Sequence, residues 1–243
     1  MMGKARIQIA AQVRRRLSPQ QQRTLDQRLR RLVRPAFLGT LRRTTPLSDH
    51  WGFERGTPID RYYIDCFLAE HRADIRGRVL EVMDRSYTAV YGVGVTHSDV
   101  LDIDATNPQA TVVADLSTAD ALPPAQFDCF ILTQTLQFIY DPRAALTQSH
   151  RALRPHGVLL LTVPTVSRLD RHLVDYWRFT PAVCEAMFGE IFGREQSTVQ
   201  PYGNVLASIG FLAGMAAEEL SARELTTGDE RFPVITAVRA VKR

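Results

Sequence analysis

Acidic residues recur in this chain where short apolar runs come to an end. Glu81 closes VLEV (79–82), Asp102 and Asp104 end GVTHSDVLDID, and Asp115 follows the valines of TVVADL. A fourth run, FDCFILT, delivers Thr133, Gln134, Thr135 and Gln137. One such aspartate alone would suit a turn or a cap. Acids at successive strand ends instead suit a nucleoside ligand, and an acid about twenty residues beyond a first strand commonly holds ribose hydroxyls. The turn after VLEV is MDRSY, with no glycine before Gly92. A second cluster lies in TVSRLDRHLVDYWRFTP. His172, Asp175 and Tyr176 are types that can take a proton from a hydroxyl; His172 is the first choice among them, against the commoner reading of a surface-loop histidine. Trp177 offers a stacking face and Arg178 a planar fork for a sugar or carboxylate, or the two form an aromatic anchor and its salt-bridge partner. His150 shares an apolar face with Leu146 and Leu153 and reads as a packed structural histidine.

Other chemistries are disfavoured. Cys66, Cys129 and Cys184 are odd in number, far apart and set among apolar residues, so they read as buried free thiols in a reducing cytoplasm. No metal-ligand spacing occurs. No apolar run is long enough to span a bilayer, and the broken stretch IQIAAQV makes a poor signal peptide. No G-x-G-x-x-G follows any strand, which argues against a nicotinamide oxidoreductase.

The elements that must position these residues alternate. Strands are expected at VLEV, within GVTHSDVLDID, and at TVVADL, FDCFILT, GVLLLTVP, STVQPY and FPVITAVRAV. Helices are expected from Ile59 to near Gly77, from Pro142 to Gly157, from Pro181 to about Phe192, and over 206–220. Near-continuous apolar strands between helices imply a doubly wound, mostly parallel α/β sheet covered on both faces. Its ligand crevice lies beyond the carboxyl ends of the strands. Residues 46–58 have a linker's punctuation and begin the α/β domain of residues 46–243. Before it, residues 1–45 hold twelve Lys or Arg and one acid, Asp26, and the rest of the chain is net acidic. Ile9, Val13 and Leu17, then Leu25, Leu29, Leu32 and Val33, mark two helices in this basic extension. Its arginines suit either a solvated helix face or an anionic partner or membrane surface.

On VLEV, VVADLSTADALPPAQFD and FILTQTLQFIYDPRAALTQSHRALRPHGVLLLTVP, the chain resembles the class I S-adenosylmethionine-dependent methyltransferases over roughly residues 57–241. GTPIDRYYI and DYWRFTP further resemble a branch often found with glycan-biosynthesis genes. The resemblance implies a seven-stranded sheet with its last strand antiparallel, S-adenosylmethionine as cofactor, and methyl transfer to a small polar acceptor such as a sugar hydroxyl. It implies that Glu81 meets the methionine amino end and that Asp102, or else Asp104, holds the ribose diol. It places Asp115 and Leu116 beside the adenine, and Gln134 and Gln137 toward the methionine part and the acceptor. Where the family usually carries Gly-x-Gly-x-Gly, this chain has Met83, Arg85 and Tyr87. Arg85 or Arg61 is expected at the cofactor carboxylate, with Tyr63 and Met83 also in the cofactor set. The alternatives are a non-catalytic protein on this fold and an adaptor acting through its basic arm. An acidic body gives no reason to expect a specific nucleic acid, and the sequence leaves the oligomeric state open.

Overall fold

The computed structural model describes residues 18–33, 39–119 and 121–243. Its contacts divide the chain into two compact units, residues 1–44 and 45–243. In the first, helix α1 (Pro19–Val33) follows Ser18. The Ser18 hydroxyl accepts from the Gln21 N–H, and the Gln21 side chain accepts from the Ser18 N–H, a reciprocal cap with proline in the first turn. The helix expected around Ile9, Val13 and Leu17 lies outside the described residues. Among the described residues no helix is long and apolar enough to cross a membrane.

The second unit holds a seven-stranded sheet. Its elements are α2 (Ile59–Glu70), β1 (Gly77–Val82), α3 (Ser86–Tyr91), β2 (Val95–Asp102), β3 (Val112–Val113), β4 (Phe127–Thr133), α4 (Pro142–Ala152), β5 (Leu153–Pro164), α5 (Pro181–Phe188), β6 (Ser197–Tyr202), α6 (Val205–Ala213), α7 (Ala222–Thr226) and β7 (Ile235–Val241). The strand order is β3-β2-β1-β4-β5-β7-β6, and only β7 runs antiparallel to its neighbours. This is the sheet expected from the sequence. The order reverses between β1 and β4, which are paired (Glu81 opposite Ile131), and the carboxyl ends at such a reversal are where ligands bind in sheets of this kind.

Alternating side chains load both faces. Leu80, Phe130, Leu132, Leu159 and Leu161 pack with residues of α4 and α5, while Val79, Cys129, Ile131 and Leu160 pack with those of α2 and α6. Cys129 and Cys184 are buried and Cys66 partly so, all three as free thiols, and burial pushes each thiol pKa up. They are inert packing groups.

Three helices stop earlier than expected. α2 ends at Glu70 and gives way to a 3-10 turn at Arg72–Asp74. α4 ends at Ala152, because Pro155 disfavours a helical Arg154 and His156 sits at φ +65°. α6 ends at Gly214, whose left-handed backbone (φ +77°) lets its N–H reach the Gly210 and Phe211 carbonyls. A side chain at Gly214 would also strike Ser48.

Candidate active site

The turn after β1 is built around a buried acid. Glu81 is 1% exposed, and its carboxylate accepts from the N–H groups of Tyr87 and Thr88 (2.9 and 2.8 Å) and from the Thr88 hydroxyl (2.6 Å). Burial pushes its pKa up, against these hydrogen bonds. Glu81 thus fastens MDRSY to the start of α3. Met83 stands at φ +69°, a backbone region that favours glycine, with its side chain 69% exposed. Its N–H donates to the Leu101 carbonyl and its carbonyl accepts from the Asn107 side chain (2.7 Å). The same Asn107 amide donates to Asp102 (2.6 Å). Asn107 therefore joins the turn after β1 to the acid after β2. Asn107 was missed from the sequence, where its one available signal is the proline that follows it, the mark of a loop.

The remaining acids divide by how they are used. Asp102 keeps one oxygen on Asn107 and the other on the Asp104 N–H. Asp104 turns back on its own loop, accepting from the Thr106 N–H and hydroxyl, which lower its pKa. Asp115 is exposed and holds the Ser117 N–H and hydroxyl through one oxygen, leaving the other open. Leu116 beside it is buried in the core.

Arg61 lies on α2 with its guanidinium beside the Tyr87 hydroxyl and 3.9 Å from Asp60, so it borders the turn after β1. Arg85 is exposed. Tyr63 is a correction. It is 3% exposed in the core, its hydroxyl donates to the Leu225 carbonyl, and burial pushes its pKa up to about 12. Tyr63 shares α2 with Arg61 but points into the packed face against Tyr202, away from the crevice.

After β4, Gln134 sits at φ +46° with its N–H on the Thr162 carbonyl. Gln137 is 4% exposed and its amide donates to the Gln134 carbonyl. Gln134 Nε2 and Gln137 Oε1 are both buried and without partners. One is a donor and the other an acceptor, which is what a zwitterion such as the amino-acid end of S-adenosylmethionine would satisfy. The residues present therefore fit that cofactor.

The loop after β5 docks on the same region through the Tyr176 N–H to the Gln137 carbonyl and the Trp177 indole N–H to the Ile139 carbonyl. Tyr176 meets Tyr140 edge-on with centroids 5.3 Å apart. Arg178 grips Asp175 with both arms and donates to the Ser167 and Arg168 carbonyls. Asp175 is 6% exposed, and this pair is the loop's internal tie. His172 is exposed at the tip, where Asp170 accepts its backbone N–H. His150 packs edge-on against Phe192 as a structural histidine. Among the described residues no cluster has the makings of a metal site.

Residues 75–161, which contain β1 through most of β5, match the family model of a methyltransferase domain. None of the curated proteins matches the chain. Among solved structures, an S-adenosylmethionine-dependent methyltransferase from Archaeoglobus fulgidus is 15% identical, with 75% of this chain and 94% of that one covered and a TM-score of 0.50. One from Mesorhizobium loti is 16% identical over 76% of this chain and 98% of its own, with a TM-score of 0.49. The Haemonchus contortus phosphoethanolamine N-methyltransferase 2, solved with S-adenosylmethionine, is 13% identical over 73% of this chain and 52% of its own, with a TM-score of 0.47. At these identities the likeness is one of fold.

Proposed function

We propose that this chain, with its match to a methyltransferase domain over residues 75–161, uses S-adenosylmethionine to methylate a small polar acceptor, a hydroxyl of a sugar or glycan-like molecule. The observation that carries the reading is the unpartnered Gln134 donor and Gln137 acceptor, buried at the switch point of the sheet. Bound S-adenosylmethionine supplies a methyl group on a positively charged sulfur. Asp102 would hold the ribose diol, and the open oxygen of Asp115, next to Leu116, would accept from the adenine amine. Arg61, beside Tyr87, takes the carboxylate, with Arg85 as the exposed second cation. Met83 gives the turn its left-handed step without a glycine, so the altered first motif keeps a shaped backbone. Gln137 and the aromatic pair Tyr176 and Trp177 orient the acceptor, since positioning does much of the work in an in-line displacement. His172 is the residue free to take the hydroxyl proton, because Asp175 is committed to Arg178.

Calorimetry with S-adenosylmethionine and its demethylated product is the direct test. Ligand at a hundred times its Kd should stabilise the fold by about 2.7 kcal/mol. Absence of heat and of a melting shift at millimolar ligand would favour a non-catalytic protein on this fold. Incubation with labelled donor and panels of sugars, nucleotide sugars, phenols and RNA then tests the acceptor. Label in RNA alone would overturn the sugar-like class.

A further inference from the structure

We propose that Arg168, held over the face of Trp51, forms an anion-binding subsite that selects acceptors carrying a carboxylate or a phosphate. The proposal rests on the reading of the crevice given above and narrows its acceptor class. Arg168 lies in the loop just beyond the carboxyl end of β5, on the edge of the sheet where the crevice opens. Its guanidinium carbon is 3.4 Å from the centroid of the Trp51 ring, a cation held over an aromatic face.

The hydrogen-bond inventory of that guanidinium is incomplete. Nη1 donates to the Leu169 carbonyl at 3.2 Å, and Nε is buried without a partner. The neighbouring arginines of the loop differ: Arg171 is paired with Asp49, and Arg178 is held by Asp175. Asp170, whose carboxyl feels the Arg168 charge, already accepts from the N–H groups of His172 and Leu173. A buried donor on a cation is costly to leave unpaired. A carboxylate or phosphate meeting the Nε edge of the fork would satisfy it with a charge-assisted hydrogen bond.

Both halves of the subsite are held in place. Trp51 packs on the core, and its segment is pinned where the Ser48 hydroxyl accepts from the His50 and Gly52 N–H groups. Gly52 approaches the Met215 carbonyl too closely for any side chain. Arg168 is fixed through its carbonyl, which accepts from Arg178 at 2.8 Å.

The chain has two tryptophans, Trp51 and Trp177, so indole N–H resonances report the subsite once assigned with W177F. The full chain, with S-adenosylhomocysteine added, is titrated with acetate, inorganic phosphate, glucuronate, glucose 1-phosphate and neutral methyl glucoside. A saturable shift of the Trp51 resonance with the anions and not with methyl glucoside is expected. Acetate with glucuronate, or phosphate with glucose 1-phosphate, tells the two anion types apart. R168M should weaken anion binding roughly ten- to hundredfold while leaving S-adenosylhomocysteine affinity and the melting midpoint in place. Anions that leave Trp51 unmoved, or move it equally in R168M, overturn the proposal. Anion binding without S-adenosylhomocysteine binding would keep the subsite and remove the methyl-transfer reading.

Discussion

Met83 shows what a single residue can do in this site. A side chain at φ +69° carries roughly 1–2 kcal/mol of backbone strain, and here the Leu101 carbonyl and the Asn107 amide hold it there. Met83→Gly should therefore raise stability by about 1 kcal/mol, since the exposed side chain gives up little packing, with cofactor affinity kept. A loss of stability on thermal melting would mean that the thioether packs on something the turn needs. Two histidines set a second residue-scale expectation. His71 and His150 lie edge-on against Phe67 and Phe192, and burial lowers the pKa of each below its usual 6.5, with Lys242 adding to the effect at His150. A lowered folded pKa leaves stability intact above about 6.5 and removes it as pH falls toward the folded value. The melting midpoint of His150→Leu should fall less than that of the wild type on acidification from about pH 7 to about pH 5. Equal slopes would assign the acid sensitivity elsewhere. At this scale the strand-end acids were legible in the sequence because their places follow from strand periodicity. Asn107, the direction of Tyr63 and the stacking of Arg168 on Trp51 were not, because each depends on which distant segments the fold brings together.

Elements were easier to read than their ends. FDCFILT is a strand over the expected residues, because a run buried on both faces admits few alternatives, and STVQPY is one as well, a partly exposed edge strand held by its pairing with β7. Helix ends were set by local geometry that composition does not display, as at Gly214, where the turn must pass Ser48. The loop after β5 is the element on which the chemistry depends most. Its residue types suggested a base and a sugar platform, and the structure shows that part of that polarity holds the loop itself together. Asp175→Asn leaves the Arg178 charge half-buried without its carboxylate, and breaking such a pair costs about 3–5 kcal/mol when it is fully buried and less here. We expect Asp175→Asn to lower the melting midpoint and to lose activity with it. His172→Ala should keep the midpoint and lower kcat alone. If instead Asp175→Asn melts like the wild type yet is inactive, the carboxylate acts on the acceptor directly.

Across the whole molecule, charge is separated along the chain. Residues 1–45 carry twelve basic residues against one acid, while the remainder has an excess of acids, so the modest total of +4 conceals two opposed regions. Among the described residues, the two apolar clusters that cover the sheet are drawn from residues 45–243. From the charge alone we propose an electrostatic use for the basic region, at an anionic surface such as a membrane or an acidic glycan. The full chain should bind vesicles containing anionic lipid at low salt and release them as ionic strength rises toward physiological values, where the screening length shortens to about 8 Å. A chain lacking residues 1–44 should lose that binding, because its remaining net charge is negative and repels the same surface. Its melting midpoint and its affinity for S-adenosylmethionine should stay near those of the full chain. Salt-independent retention on vesicles would point to apolar insertion instead. A collapse of the midpoint on truncation would give the leucines of α1 a packing role and leave the arginines as its solvated face.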